Sequence, residues 1–235
     1  MTVAEVMTQL ESWGNPKTKE VLLKHGAREP FFGVKVADLK KIVKKVKKNH
    51  ELAMALYDTG NSDAMYLAGL ISDETKMTKA DLNKWAEEAY WYMISEYAVA
   101  WAAAETPFAE EIADEWIQSD KVNVASAGWA TWSNILLLKA DEDLDLEKIK
   151  SLMAKAEEGI HDHQDRVSYT KNGFILAAGG AVSALTDLAT EYGNRIGKVK
   201  VNMGETACKV PFIPDYLKKM KEKGRIGNKK KTVKC

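Results

Sequence analysis

The chain has 235 residues, of which 46% are hydrophobic and 29% charged, and its formal net charge is zero. That length is enough for one domain with a sizeable core. Apolar residues recur at helical rather than alternating spacing, which argues against an all-β fold. The N-terminus does not read as a signal peptide, and no apolar window is long enough to cross a membrane. Two cysteines, Cys208 and Cys235, are too few for a disulfide framework, so we expect a cytoplasmic protein.

Helical segments follow one another along the chain, separated by short polar turns. The hydrophobic spacing predicts helices at Val3–Trp13, Lys17–His25, Ala37–Lys48, Glu51–Tyr57, Ser62–Ile71, Trp85–Ala104, Pro107–Trp116, Val122–Lys139, Leu146–Glu157, Val167–Ala178, Ala181–Tyr192 and Asp215–Lys223. Trp85–Ala104 is long enough to be either one helix or two halves. Thr78 and Ser119-Asp120 have the residue types of N-caps. This order predicts stacked helical hairpins of the HEAT type, with a compact helical bundle as the alternative.

The C-terminal region has a different character. Residues 196–201 alternate and predict a short strand or an extended arm. Residues 224–235 are basic and predict a mobile tail. We therefore divide the chain into a helical repeat domain, 1–200, and a basic extension, 201–235, packed on the array or trailing from it.

Lysines crowd one early segment, although the net charge is zero. We call this set the lysine stripe: Lys35, Lys40, Lys41, Lys44, Lys45, Lys47 and Lys48. Lys40, Lys44 and Lys48 are four residues apart and share one helix face, where like charges repel. A polyanion relieves that repulsion and releases counterions, so we interpret the stripe as a phosphate-binding surface. A solvated helix face is the alternative.

Aromatic residues cluster in the middle of the chain around a single carboxylate. Tyr90, Trp91, Tyr92, Tyr97 and Trp101 surround Glu96 in sequence. Aromatic rings beside a carboxylate can hold a cationic or flipped base. Any one ring is equally suited to filling the core, whereas Glu96 must be either buried with a partner or exposed in a cleft.

The segment 161–166 (HDHQDR) contains alternating histidines. Two such ligands can bind a metal, but no third ligand is placed by spacing, so a polar loop is favoured. We therefore predict no metal site and no cofactor.

Three segments resemble the DNA alkylation repair family. Phe31–Lys41 is similar to the family's aromatic-x-Gly-aliphatic turn and the basic helix that follows it. Glu115–Asp120 is similar to its Trp-x-x-Ser-Asp helix end, and Lys171–Phe174 to its late Lys-x-x-Gly-Trp-like run. The resemblance extends over most of the chain.

The resemblance implies an all-α, right-handed superhelix of HEAT-like hairpins whose concave basic face holds duplex DNA. Glycosylase members of that family excise cationic N3- and N7-alkylated purines, without metal or cofactor, using an Asp, Trp side chains and a supporting Arg. Here Glu96 stands for the Asp, Ser126 falls where the Arg is expected, and Phe174 where the late Trp is expected.

The resulting site prediction has three parts. Glu96 is the candidate catalytic residue, which would stabilise oxocarbenium character on the sugar. The candidate lesion contacts are Trp91, Trp101, Ser126 and Phe174. The candidate DNA-binding residues are Lys35, Lys40, Lys44, Lys45, Lys48, Arg166 and Lys171.

Three functions are compatible with this pattern. The first is a DNA glycosylase acting on alkylated DNA, and the second is a non-catalytic binder of damaged or branched DNA. The third is a protein-binding helical scaffold that uses the acidic central helices. Under the first two we expect duplex DNA as the partner, no membrane association, and a monomer.

Overall fold

The computed structural model describes residues 1–162 and 165–234, and in these residues the chain is helical with no strand. The elements are α1 (Val3–Trp13), α2 (Pro16–Lys24), α3 (Val36–Val46), α4 (His50–Tyr57), α5 (Ser62–Ile71), α6 (Lys79–Glu88), a π-helix (Met93–Val99), α7 (Ala100–Ala104), α8 (Ala109–Trp116), α9 (Val122–Leu138), α10 (Leu146–Glu157), α11 (Arg166–Ala181), α12 (Thr186–Ile196) and α13 (Ile213–Glu222). The all-helical prediction is confirmed.

One predicted helix is interrupted. The apolar run Trp85–Ala104 is predicted as one long helix or as two halves, and it is divided: α6 ends at Glu88 and the π-helix begins at Met93. The break is anchored by side chains: the Trp91 indole N–H donates to Ser62 Oγ at 2.7 Å, and the Tyr90 hydroxyl lies 3.2 Å from the Gly60 carbonyl oxygen. These contacts tie the turn to the start of α5, and hydrophobic spacing does not report them.

The capping predictions have mixed outcomes. Thr78 caps α6 in a reciprocal capping box with Asp81, as predicted. The Ser119-Asp120 cap is wrong, because α9 has Lys121 as its N-cap and no side-chain cap bond. Ser119 Oγ instead accepts from the Lys121 N–H within the preceding turn.

The central helices form two rows. The front row consists of α5, the π-helix with α7, α9 and α11, each packed against the next. The back row consists of α4, α6, α8 and α10; α4, α8 and α10 pack against α5, α9 and α11, and α6 packs against both the π-helix and α9. This repeated pairing is the stacked-hairpin arrangement that the order of helices predicts.

The turn before α3 is held by a buried carboxylate. Asp63, in the first turn of α5, accepts hydrogen bonds from the backbone N–H groups of Phe32 (2.6 Å), Gly33 (3.0 Å) and Val34 (3.1 Å). Gly33 has φ +79°, and a Cβ there would lie 2.7 Å from Lys19 Cβ. Only glycine fits this position, so the segment that carries the family resemblance sets the angle at which α3 leaves the turn.

Residues 224–234, which we call the C-terminal strap, lie along the C-terminal ends of the front row. The Gly227 N–H donates to the Gly180 carbonyl of α11 at 2.9 Å, and the Lys230 N–H donates to the Leu137 carbonyl of α9 at 2.8 Å. Lys234 Nζ reaches the Ser72 carbonyl after α5, also at 2.8 Å. Residues 224–234 are therefore packed on the array, one of the two arrangements given for the basic extension, and do not form a mobile tail.

The connection 197–212 has no regular structure, so of the two predictions for 196–201, a short strand or an extended arm, the strand is not formed. It crosses to the N-terminal helices, where the Glu205 N–H donates to the Lys24 carbonyl at 3.1 Å. α12 begins at Thr186, later than predicted, because α11 continues to Ala181 and a 3₁₀ turn follows at Ser183–Leu185.

Within residues 1–162 and 165–234, no single helix has the length and hydropathy of a membrane span. Only α11 taken together with Ser183–Ile196 meets those two criteria, as a pair bent by 118°.

Candidate nucleic-acid interface

The lysine stripe lies on the exposed side of α3 and its ends. Leu39 and Ile42 of α3 face the core, while all seven lysines of the stripe are exposed. Two of them are neutralised: Lys41 pairs with Asp38 at 2.7 Å, and Lys48 forms an ion pair with Glu74. Across the described residues, Lys35, Lys40, Lys44, Lys45 and Lys47 have no carboxylate within ion-pair distance.

Glu96 lies in the π-helix, where its side chain is only 4% exposed. A π-helical turn widens the helix and is often found at functional sites. Arg166, the first residue of α11, binds the carboxylate with two groups: Nε donates to Oε1 at 2.6 Å, and Nη2 forms an ion pair with Oε2. Glu96 therefore belongs to a bidentate pair between two front-row helices.

Aromatic rings enclose the guanidinium of this pair. Arg166 Cζ lies 4.3 Å from the Tyr92 ring centroid and 4.0 Å from the Tyr169 ring centroid. Arg166 Nη1 is also 3.7 Å from the sulfur of Met203, in the 197–212 connection. Arg166 is predicted to contact DNA, and in the structure these neighbours hold it against Glu96.

Burial sets the electrostatics of the pair. It raises the pKa of Glu96 to about 7, although the hydrogen bonds and charge of Arg166 act in the opposite direction. For Arg166, burial opposes the charge, but the hydrogen bonds and charge of Glu96 outweigh it and raise the pKa. The guanidinium therefore keeps its charge throughout the range in which Glu96 titrates.

The two predicted tryptophans are mostly enclosed. Trp91 is 8% exposed and Trp101 is 5% exposed. Trp91 anchors the break after α6 through Ser62, and Trp101 packs edge-on to Tyr66 with ring centroids 5.4 Å apart. Each therefore has a structural contact that accounts for its position.

Ser126 and Phe174 have no surface to offer a nucleotide in this structure. Both are fully buried. The Ser126 hydroxyl donates to the Asn123 carbonyl at 3.2 Å, and the Phe174 ring packs 5.2 Å from the Trp129 ring. Ser126 therefore cannot supply the positive charge of the family's supporting Arg, and Phe174 is a core residue.

Lys171 and His161 each contact a backbone carbonyl rather than Glu96. Lys171 is half-buried, and its Nζ donates to the Glu158 carbonyl at 2.7 Å; burial lowers its pKa. His161 has a ring nitrogen 3.0 Å from the Ile196 carbonyl, whereas His163 lies outside the described residues. In the part of the chain that the structure describes, no group of three His, Cys, Asp or Glu is placed to hold a metal.

The acidic central helices are engaged in the back row. Glu110 accepts from Lys139 at 2.5 Å, and Asp114 pairs with Lys148 at 2.8 Å. Glu111 forms an ion pair with Lys79. These pairs reduce the acidic surface on which a protein-binding scaffold would depend.

Two features were not predicted as parts of a site: Tyr169 as the second aromatic partner of Arg166, and the lysines of α13 and the strap beside the front row. Tyr169 is three residues after Arg166, so the two share a helix face, and that spacing was available as a signal. Lys219 and Lys221 of α13 and Lys230 of the strap are exposed beside the front row. Their placement depends on how α13 and the strap pack against the front row, which no local pattern reports.

The comparisons with known proteins cover nearly the whole chain. Residues 6–177 match the family model described as DNA alkylation repair enzyme. The chain is 32% identical over 229 residues to the uncharacterized protein Lmo0209 of Listeria monocytogenes and 31% identical to Lin0241 of Listeria innocua, in each case covering 95% of this chain and 99% of the relative.

A solved structure has the same fold over its full length. It belongs to a family of proteins related to the HEAT-like repeat DNA glycosylases with affinity for branched DNA structures. It superposes with a TM-score of 0.92, is 35% identical, and covers 100% of both chains. The stacked helical hairpins are therefore HEAT-like repeats, and the chain belongs to the DNA alkylation repair enzyme family.

Proposed function

We propose that this protein binds branched DNA through the lysine stripe and does not cleave the glycosidic bond. The observation that carries the binding is the exposed face of α3, where Lys40, Lys44 and Lys45 have no carboxylate within ion-pair distance among the described residues. Such a face is electrostatically unfavourable until phosphates neutralise it. The affinity of the similar solved protein for branched DNA supports a branched rather than a linear ligand.

The pairing of Glu96 with Arg166 argues against glycosylase chemistry. Stabilising an oxocarbenium ion requires a carboxylate oxygen directed at the sugar. Both oxygens of Glu96 are bound by Arg166, and the side chain is 4% exposed. Ser126 and Phe174, at the other positions expected to support catalysis, are fully buried.

Fluorescence anisotropy tests the binding. It measures the affinity for a fully paired four-way junction and for a linear duplex of the same arm sequence. The junction is expected to bind more tightly than the duplex, and both affinities are expected to fall with salt because phosphate contacts release counterions. Equal affinity for the two DNAs would mean that the protein binds DNA without preferring branched structures. Absence of salt-dependent binding would exclude DNA as the ligand.

A triple substitution, Lys40→Ala, Lys44→Ala and Lys45→Ala, tests the surface. If each lysine contacts one phosphate, the slope of log affinity against log salt is expected to decrease by up to about 3. A matched control replaces Lys84, Lys121 and Lys150, which are paired with carboxylates elsewhere. An unchanged slope in the stripe variant, or an equal loss in the control, would place the binding surface elsewhere.

Base release from methylated DNA tests the catalytic part. Wild type and Glu96→Gln are both expected to release 7-methylguanine and 3-methyladenine at the uncatalysed rate. Release above that rate in wild type, and its loss in Glu96→Gln, would make the protein a glycosylase with Glu96 in the catalytic role.

A further inference from the structure

A largely apolar cleft of about 320 Å³ opens along the front row beside the Glu96–Arg166 pair, and Glu96 is part of its lining. Tyr97 and Trp101 line it from the π-helix and α7, Asn134 from α9, and Tyr169 and Gly173 from α11. This volume is at the lower end of the range for small-ligand sites. The cleft is therefore large enough for one flat ring and too small for a helix.

The walls of the cleft have the chemistry of a ring-binding site. Tyr97 and Tyr169 border it with aromatic surface, and Tyr97 is 36% exposed. Gly173 leaves one wall open, since a Cβ built there has no atom within 4 Å. Asn134 is half-buried and brings both a hydrogen-bond donor and an acceptor, which can recognise the edge of a base.

Basic residues lie next to the lining of the cleft, which determines the kind of partner that suits it. Met220 lines the cleft, and its neighbours in α13, Lys219 and Lys221, are exposed. Leu137, another lining residue, accepts the backbone N–H of Lys230, whose side chain is also exposed. We call these three lysines the basic rim. Aromatic surface flanked by cations is the combination with which proteins hold unpaired nucleotides.

We infer that this cleft receives one unpaired base at the branch point of DNA, with the adjoining phosphates on Lys219, Lys221 and Lys230. The inference rests on the proposed function, because the lysine stripe would hold the paired arms. An apolar side chain of a partner protein suits the cleft less well, because it would leave the basic rim without counter-charge.

Two four-way junctions that differ by one nucleotide test the inference: one is fully paired, and the other carries an extra unpaired adenine at the branch point. Wild type is expected to bind the second about tenfold more tightly, the usual effect of stacking one base on aromatic side chains. Gly173→Leu fills the cleft from an unobstructed position and is expected to bind both junctions equally, with unchanged affinity for the paired one. Gly173→Ala is the control and is expected to keep most of the preference.

Tyr97→Ala provides a second variant in case the leucine disturbs α11, and circular dichroism checks the fold of each. The inference is overturned if wild type does not prefer the unpaired adenine, or if the preference survives in both Gly173→Leu and Tyr97→Ala. In either case tighter binding of the paired junction than of the linear duplex shows that the proposed function stands. Failure to bind either junction overturns both.

Discussion

At the residue scale, the Glu96–Arg166 pair combines two opposing effects. Removal from water disfavours the charge on Glu96, and the guanidinium restores part of the loss through two hydrogen bonds. A buried pair of this kind is weak evidence of added stability, but removal of one partner leaves an uncompensated charge. Because the pair joins the π-helix to α11, its main effect is to fix how these two front-row helices meet.

The pKa of Glu96 predicts a pH dependence with a definite sign. An ordinary glutamate has a pKa of 4.5, and in the folded protein burial raises that of Glu96 to about 7. Between these values the folded state holds a proton that the unfolded state has lost, so stability falls as pH rises. Relative to Glu96→Gln, the free energy of unfolding of wild type is expected to fall by up to roughly 3 kcal/mol from pH 4.5 to pH 8.

Thermal or urea unfolding of both proteins at a series of pH values measures that difference. Other titrating groups are common to the two chains and cancel in it, so only the slope attributable to Glu96 remains. A difference that stays constant, or that grows in favour of wild type with rising pH, would show that Arg166 keeps Glu96 ionised at all of these values.

At the element scale, the front-row helices approach closely where a small residue allows it. A Cβ built on Gly69 of α5 would lie 2.6 Å from both Cα and Cβ of Ala98 in the π-helix. That contact is with backbone as well as side chain, so neither helix can yield by a simple rotamer change. Gly69 therefore permits the spacing that brings the π-helix, and Glu96 with it, against α5.

Substitution of this glycine tests the spacing. Gly69→Ala is expected to lower the free energy of unfolding by about 1–3 kcal/mol through overpacking, despite the better helix propensity of alanine. Gly173→Ala is the matched control, since its Cβ meets nothing within 4 Å and the change is expected to stabilise α11 by about 0.5–1 kcal/mol. Urea unfolding measures both, and equal effects of the two changes would contradict the proposed close contact.

The helices could be predicted from the sequence better than the contacts between them. Helices α3, α5 and α10 follow the local hydrophobic spacing, so their presence and approximate limits were predictable. The break between α6 and the π-helix depends on Trp91 contacting Ser62, and the Glu96 site depends on Arg166, 70 residues away in sequence. Contacts of this kind leave no periodic signal, which is why Glu96 was identified as unusual while its partner was assigned to DNA.

At the scale of the whole molecule, the C-terminal strap connects helices that are far apart in sequence. It contacts the C-terminal ends of α11, α9 and α7 in turn, and finally the residue that follows α5. Helix C-termini carry unsatisfied carbonyls and partial negative charge, to which strap N–H groups and lysines are complementary. Near its end, Val233 is 6% exposed and the Lys234 side chain 9% exposed, so the last turn of the strap is anchored by burial as well.

Removal of residues 225–235 is therefore expected to loosen the whole front row rather than one helix. The strap contributes the burial of Val233 and several backbone hydrogen bonds, and the entropy cost of ordering the strap offsets part of that gain. Its removal is expected to lower the free energy of unfolding by about 2 kcal/mol. For a chain of this size that lowers the melting temperature by about 5 °C. Lys230→Ala with Lys231→Ala is the control, because it removes charge while the Lys230 backbone N–H still reaches Leu137. Calorimetry of wild type, the truncated chain and the control separates the two contributions. If the truncated chain has the melting temperature of wild type, the strap lies on the array without stabilising it. If the control has the melting temperature of the truncated chain, the effect is due to lysine charge.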